Sequence, residues 1–313
     1  MKKVVLSAVA AVLCATPALA ADVAVVRKAA QAPAPVSMWD WAFGGATMTD
    51  YNFRGISQSD RGPSATVYSE TRLNINPNLQ FYVGSQYWAV KLPTAPSAEV
   101  DFYGGVRPTF GPLALDFGFI YYYYPRENQV FLDPGTGGLG NALIPGAIAF
   151  SKADTDFWEV YGKATYEVSK DMFWIGGYVY YSPSWLNTGA PGTYAGGTVK
   201  FNLPNFNAPV FGQVGWYVSG EAARYWLGTT DAFFGNIDLP DYTYWNAGVA
   251  FTWKVATLDL RYHDTSANTA QCFVLTGDLR GLPGGGNPVG TSNWCSSAFI
   301  AMLKFDLTLA NLK

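Results

Sequence analysis

Little in this 313-residue chain carries charge: Asp, Glu, Lys and Arg make up 14% of it, where about a quarter is usual for a soluble protein. Twenty basic residues against 23 acidic ones leave a net charge of −3. No basic patch emerges from so few cations, which speaks against nucleic acid as a partner. After the N-terminal segment no stretch offers the roughly 18 consecutive apolar residues of a membrane-crossing helix. Histidine is almost absent too, since the chain has one, His263. A serine hydrolase needs a base beside its nucleophile, and His263-Asp264-Thr265-Ser266 contains no recognisable nucleophile motif. Strand parity turns His263 inward, away from any lipid substrate. The expectation is therefore a protein that is not an enzyme, with no catalytic residue, no metal site and no cofactor.

Aromatic residues (16%) and 33 glycines are what the chain has instead. They are set out with a period of two. From 100 to 110, Val100, Phe102, Gly104, Val106 and Phe110 share one face, and Asp101, Tyr103, Gly105, Arg107 and Thr109 share the other. Gly111-Pro112 is a turn signal, and the chain returns with Leu113, Leu115, Phe117, Phe119 and Tyr121 opposite Ala114, Asp116 and Gly118. Side chains of a strand point alternately to opposite faces. The pattern is thus a hairpin with one apolar and one polar face, each strand about ten residues long, enough to cross a bilayer when tilted.

The same alternation recurs along the chain and predicts about twelve strands, the first over 42–54. Turns near 76, 111, 170, 206 and 255 are short, whereas connections near 95, 140, 190, 234 and 280 are longer; the connection near 59 is compact although it lies on the long side. Short turns at one end and long loops at the other, with an even strand number, describe an all-β, antiparallel, up-and-down transmembrane barrel of the bacterial outer membrane. Phe53, Tyr87, Tyr121, Tyr123 and Tyr181 are placed as an outer aromatic girdle, with Phe110, Trp253 and Phe305 as the inner one.

Three domains follow. Residues 1–20 form a secretory signal, with Lys2-Lys3, an apolar core and the small-x-small site Ala18-Leu19-Ala20. Its removal takes Lys2 and Lys3 away and moves the net charge from −3 to −5. Cys14 lies in its apolar core, where bulky Leu13 makes a poor lipobox. Residues 21–38 are an Ala/Pro-rich leader, and 39–313 the barrel. Cys272 and Cys295 are the remaining cysteines of an exported chain and are expected to form a loop-stapling disulfide.

The segment Asp50-Tyr51-Asn52-Phe53-Arg54-Gly55-Ile56-Ser57-Gln58 resembles the first-strand signature of the TorF family of proteobacterial porins, a family formerly described only as conserved and of unknown function. Glu99-Val100-Asp101-Phe102-Tyr103-Gly104-Gly105 is similar to its central strand. The resemblance is specific over 42–124 and generic beyond. The long loops, the cysteine pair and an ending that runs past Leu309 to Lys313 depart from it. It implies a barrel with a porin-like role and names no solute.

Inward parity assigns a set of candidate pore-lining residues: Arg54, Glu70, Arg72, Asp101, Arg107, Asp116, Glu159, Lys163, Lys200, Glu221 and Arg261. Both signs interleave, so the charges either flank a water-filled path or pair across the lumen and close it. Small inward residues such as Gly84, Gly105, Gly118, Gly176 and Gly248 favour a narrow pore. Arg54 is expected in the outer mouth, as a selectivity residue or paired with an acid such as Glu70. The function expected is passive diffusion of small hydrophilic solutes or ions, among outer-membrane lipids and lipopolysaccharide. The alternative is a closed structural or surface-interaction barrel whose loops bind a partner. Segments 125–154 and 265–294 are expected to cover the outer mouth.

Overall fold

The computed structural model describes residues 12–13, 25–26, 37–133, 139–140, 148–149, 151–281 and 290–309. Most of the signal and leader, including Cys14, lies outside the described residues, as do the glycines 284–286 and residues 310–313.

Twelve antiparallel strands close into one barrel. In chain order they are β1 (Trp39–Met48), β2 (Ser64–Asn76), β3 (Leu79–Trp88), β4 (Glu99–Phe110), β5 (Leu113–Tyr123), β6 (Phe157–Ser169), β7 (Phe173–Ser182), β8 (Gly192–Ala208), β9 (Gly212–Leu227), β10 (Tyr242–Trp253), β11 (Ala256–Thr265) and β12 (Ala298–Thr308). Each pairs with its sequence neighbours, and β12 closes on β1 from Met302 opposite Met48 to Thr308 opposite Ala42. No strand edge is left, so every ladder hydrogen bond can be made inside the bilayer.

The alternation fixes which side chain meets lipid. On β2, β3 and β4 the outward Val67, Val83 and Phe102 are 59%, 63% and 48% exposed, while inward Glu70, Tyr82 and Asp101 are buried. Apolar side chains so exposed belong against acyl chains, and the aromatic Tyr87, Tyr123 and Tyr181 at one rim and Phe110 and Phe305 at the other are exposed likewise. The barrel is of the outer-membrane type.

Three expectations need correction. The first strand does not run to Arg54: β1 ends at Met48, and the chain then turns inward, so that Tyr51 is fully buried and Phe53 packs inside the barrel instead of in a girdle. The turn near 206 is displaced. β8 continues through Pro204 to Ala208 with a register shift between Leu203 and Phe206, because a proline without an N–H is accommodated where the ladder slips. Thirdly, the inward glycines do not widen the lumen. A Cβ on Gly84 would come within 2.6 Å of the Tyr103 ring, and one on Gly118 within 2.5 Å of the Tyr161 ring. These glycines are seats for tyrosines on the neighbouring strand.

Candidate functional site

The compact first outer connection is a hairpin folded into the barrel. Asn52–Phe53 pairs with Ile56–Ser57, leaving Arg54 and Gly55 as a two-residue loop with φ of 49° and 90°. Positive φ at both central positions is the type I′ geometry whose twist matches a hairpin. Glycine is needed at 55 for a second reason, since a Cβ there would lie 2.9 Å from Thr265 Cβ. Asp50 ties the base of the hairpin, accepting from Ser57 Oγ at 2.6 Å, Ser59 Oγ at 2.9 Å and Arg61 Nη1 at 3.0 Å. Tyr51 stacks on Trp88 at 4.1 Å and donates to Glu99 Oε1 at 2.6 Å.

The tip crosses the lumen to β6. Arg54 Nη1 and Nη2 each donate to Glu159 at 2.7 Å, a bidentate pair in which the two side chains are 3% and 0% exposed. Tyr122 Oη donates to the same carboxylate at 2.9 Å. The guanidinium carbon lies 4.3–5.0 Å from the ring centres of Phe53, Tyr180, Tyr194 and Tyr225. Arg54 therefore reaches neither bulk water nor Glu70, the acid anticipated from sequence. A planar fork held between aromatic faces suits a desolvated pair of this kind.

Nearer the periplasmic end Glu70 accepts from Arg107 Nη1 and Nη2 at 2.9 and 3.0 Å and from Arg72 Nε at 2.5 Å. Arg107 also donates to Asp116 at 3.3 Å, beneath the Tyr82 ring at 3.5 Å. On the facing wall Glu221 accepts from Tyr178, from Tyr194 Oη at 2.8 Å and from Asn246 Nδ2 at 2.9 Å. Arg261 donates to Asp259 at 2.8 Å and Asn246 Oδ1 at 2.6 Å. Lys163 and Lys200 place their ammonium groups 4.6 and 4.1 Å from the rings of Tyr161 and Tyr217. Asp101 accepts from Trp88 Nε1 at 3.1 Å, and its other oxygen is buried without a hydrogen-bond partner among the described residues. His263 is buried, with Nδ1 2.7 Å from Tyr244 Oη.

All eleven sequence-selected residues thus turn to the interior, but they form separate clusters, and Arg54 with Glu159 stands apart from Glu70 with Arg72, Arg107 and Asp116. Sequence reasoning missed Glu99 and Tyr51, which fasten the hairpin, and the tyrosines that fill the lumen. Tyr82, Tyr103, Tyr161 and Tyr178 occupy inward positions by the same alternation as the charges, and that signal was available.

Above the hairpin the outer loops form a roof. Cys272 and Cys295 are disulfide-bonded and join the helix Thr269–Thr276 to the approach of β12. Ser57 N donates to the Trp294 carbonyl at 2.9 Å, and Arg61 Nε to that of Asn293 at 2.8 Å. Asp60 accepts from Trp294 Nε1 at 2.8 Å and pairs with Arg280 at 2.5 Å. The indole hydrogen bond, then the guanidinium, hold the Asp60 carboxyl below its usual range against the opposing effect of burial. Segment 125–154 is only partly within the described residues.

The closed barrel and its lipid-facing belt place the protein in the bacterial outer membrane. It is similar to several solved barrels. In-vitro folded OmpT, an outer membrane protein of Vibrio cholerae, is 12% identical with a TM-score of 0.36, over 87% of this chain and 98% of that one. LpxR from Salmonella typhimurium is 9% identical with a TM-score of 0.38, over 85% and 99%. The beta domain of the Bordetella autotransporter BrkA is 12% identical with a TM-score of 0.41, over 86% and 99%. Among curated protein sequences none matches this chain. A family model, Gcw_chp, described as a bacterial protein of unknown function, matches residues 32–279, and the chain belongs to that family.

Proposed function

We propose that the protein is a narrow outer-membrane channel for passive diffusion of small hydrophilic solutes or ions, closed in this conformation by the hairpin at 50–59. The observation that carries the reading is the way the hairpin is held. Its tip is fastened across the lumen by one ion pair, Arg54 to Glu159, whereas charges towards the periplasm stay partly open, with side-chain exposures of 19% at Asp116, 16% at Lys304 and 22% at Asp40. A stopper joined to the wall by non-covalent contacts can withdraw; a wall of strands cannot. With the hairpin withdrawn, Glu70, Arg72, Arg107, Asp116 and Lys163 would flank the path, and their mixed signs forecast weak ion selectivity. The resemblance of 50–58 to TorF porins supports the same reading, in a membrane of lipid and lipopolysaccharide.

A second reading, a closed barrel whose loops bind a partner, is favoured by the density of paired interior charges. Planar-bilayer conductance of the refolded protein separates the two. Wild type is expected to give infrequent steps, Arg54→Ala frequent ones, and a variant with 52–57 replaced by a short glycine linker a permanently open pore. A hairpin-less barrel that is folded, inserted and silent would sink the channel reading.

A further inference from the structure

Directly over the hairpin, the roof bounds a partly open cavity of about 220 Å³. Its floor is Phe53 and Ile56, the residues flanking the Arg54-Gly55 tip, and its walls include Phe157, Trp185, Leu239 and Trp294. We propose that this cavity is a binding site for a neutral, largely apolar small molecule of one or two rings that carries a hydrogen-bond donor, such as a hydroxyl.

The composition of the wall selects that chemistry. Of the described residues lining the cavity, none is Asp, Glu, Lys, Arg or His, in a mouth where the adjoining loops carry Asp60, Arg61 and Arg280. An ion entering it would shed its hydration and find no partner, whereas a neutral ring would bury apolar surface against aromatic walls. Five threonines line it, and four of them have their hydroxyl protons committed elsewhere. Thr94 and Thr155 donate to Glu127 at 2.5 and 2.7 Å, Thr188 to the Trp185 carbonyl at 2.5 Å, and Thr276 to the Cys272 carbonyl at 2.7 Å. Each of these four hydroxyls keeps only lone pairs to offer. A carboxylate or phosphate therefore finds no donor among these four and no cation in the described lining, only the neutral hydroxyls of Thr230 and Ser151, while an alcohol, phenol or indole N–H finds acceptors.

Size and rigidity agree with a preformed site. A dry cavity of about 150 Å³ accommodates benzene, so one or two fused rings fit the larger volume here. The helix wall is fixed by an Asn268–Gln271 capping box at its start and by the Cys272–Cys295 bond near its middle. A ligand resting on Phe53 and Ile56 would also bear on the hairpin; this consequence, unlike the binding itself, rests on the channel reading.

Titration calorimetry on the full-length barrel in lipid nanodiscs, against empty discs, tests the site with three probes of one shape: 2-naphthylmethanol, 2-naphthoate and 2-naphthylmethylammonium. The alcohol is expected to bind saturably at one site, and both ions at least about tenfold more weakly. Leu239→Arg should abolish binding of the alcohol. Val274→Arg places a charge on the same wall from a half-exposed position that folding tolerates, and should do the same. Equal affinity for the three probes, no saturable binding of the alcohol, or unchanged binding in a folded arginine variant would overturn the proposal. Conductance recorded with the alcohol present keeps the two readings apart. Saturable binding without any channel activity would remove the channel and leave the site, whereas channel activity without binding would do the reverse.

Discussion

The two halves of the lumen solve the problem of interior charge in opposite ways. Towards the outside, Arg54 and Glu159 are sealed among tyrosines, and a hairpin fills the bore. Towards the periplasm, Glu70, Arg72, Arg107 and Asp116 pair along the wall, and Asp116 keeps 19% of its side chain exposed. A pair sealed from water is strongly destabilised when one partner is lost, because the survivor is left charged and dry. In the second cluster Glu70 and Arg107 each have more than one partner, and Asp116 can be resolvated where it meets water. In the proposed channel the same chemistry is thus a latch in one half and a lining in the other.

Breaking the latch should give the largest effect. Glu159→Ala strands Arg54 among four aromatic rings and should cost about 3–5 kcal/mol. It is read as a lower urea midpoint together with new proteolysis at 50–59. Opening the roof comes next. Replacing Cys272 and Cys295, 23 residues apart, by serine removes a loop closure worth about 3 kcal/mol. The 265–294 segment should become protease-sensitive while hydrogen exchange in β2 to β5 stays unchanged; faster exchange there would show that the halves are coupled.

In the second cluster Glu70→Gln should cost less, about 2 kcal/mol, since the amide keeps the buried side chain's shape and one oxygen acceptor, and Arg107 keeps Asp116. In the proposed channel it also removes one negative charge from the path, so the zero-current potential in a salt gradient should move towards anion preference. The smallest effect is set by pH. The folded-state pKa of Asp60 lies below its unfolded value, so its contribution is complete above the unfolded value, roughly 3.9. It is lost as pH falls through the folded one. Amide exchange around 279–281 and 293–295 should therefore be flat near neutrality and rise only in strong acid.

What could be read from sequence followed from periodicity. Glu70, Asp101, Arg107 and Glu221 were placed inward correctly because a strand offers two faces, and one was plainly apolar. The same rule misled at 49–54: Thr49, Tyr51 and Phe53 alternate with Asp50, Asn52 and Arg54 as a barrel strand would. A hairpin turned into the lumen keeps a period of two. Arg54-Gly55 was the available clue, since consecutive positive φ angles suit a two-residue turn. The partner of Arg54 was not legible, because Glu159 is 105 residues away and lies across the bore from the hairpin's root. Neighbour-to-neighbour reasoning points to Glu70 instead. Likewise the glycines suggested space, until the tyrosines opposite them were placed.

The closure of β12 on β1 sets an order of events. The hairpin belongs to the first connection of the barrel, and the seam beside it joins the last strand to the first. Its latch is on β6, so the hairpin can dock once half the sheet exists, before the cylinder is complete. Closing the seam then encloses it. Variants that weaken the latch should therefore leave the hairpin outside when the wall shuts, and their defect would be acquired at assembly and persist in the mature barrel.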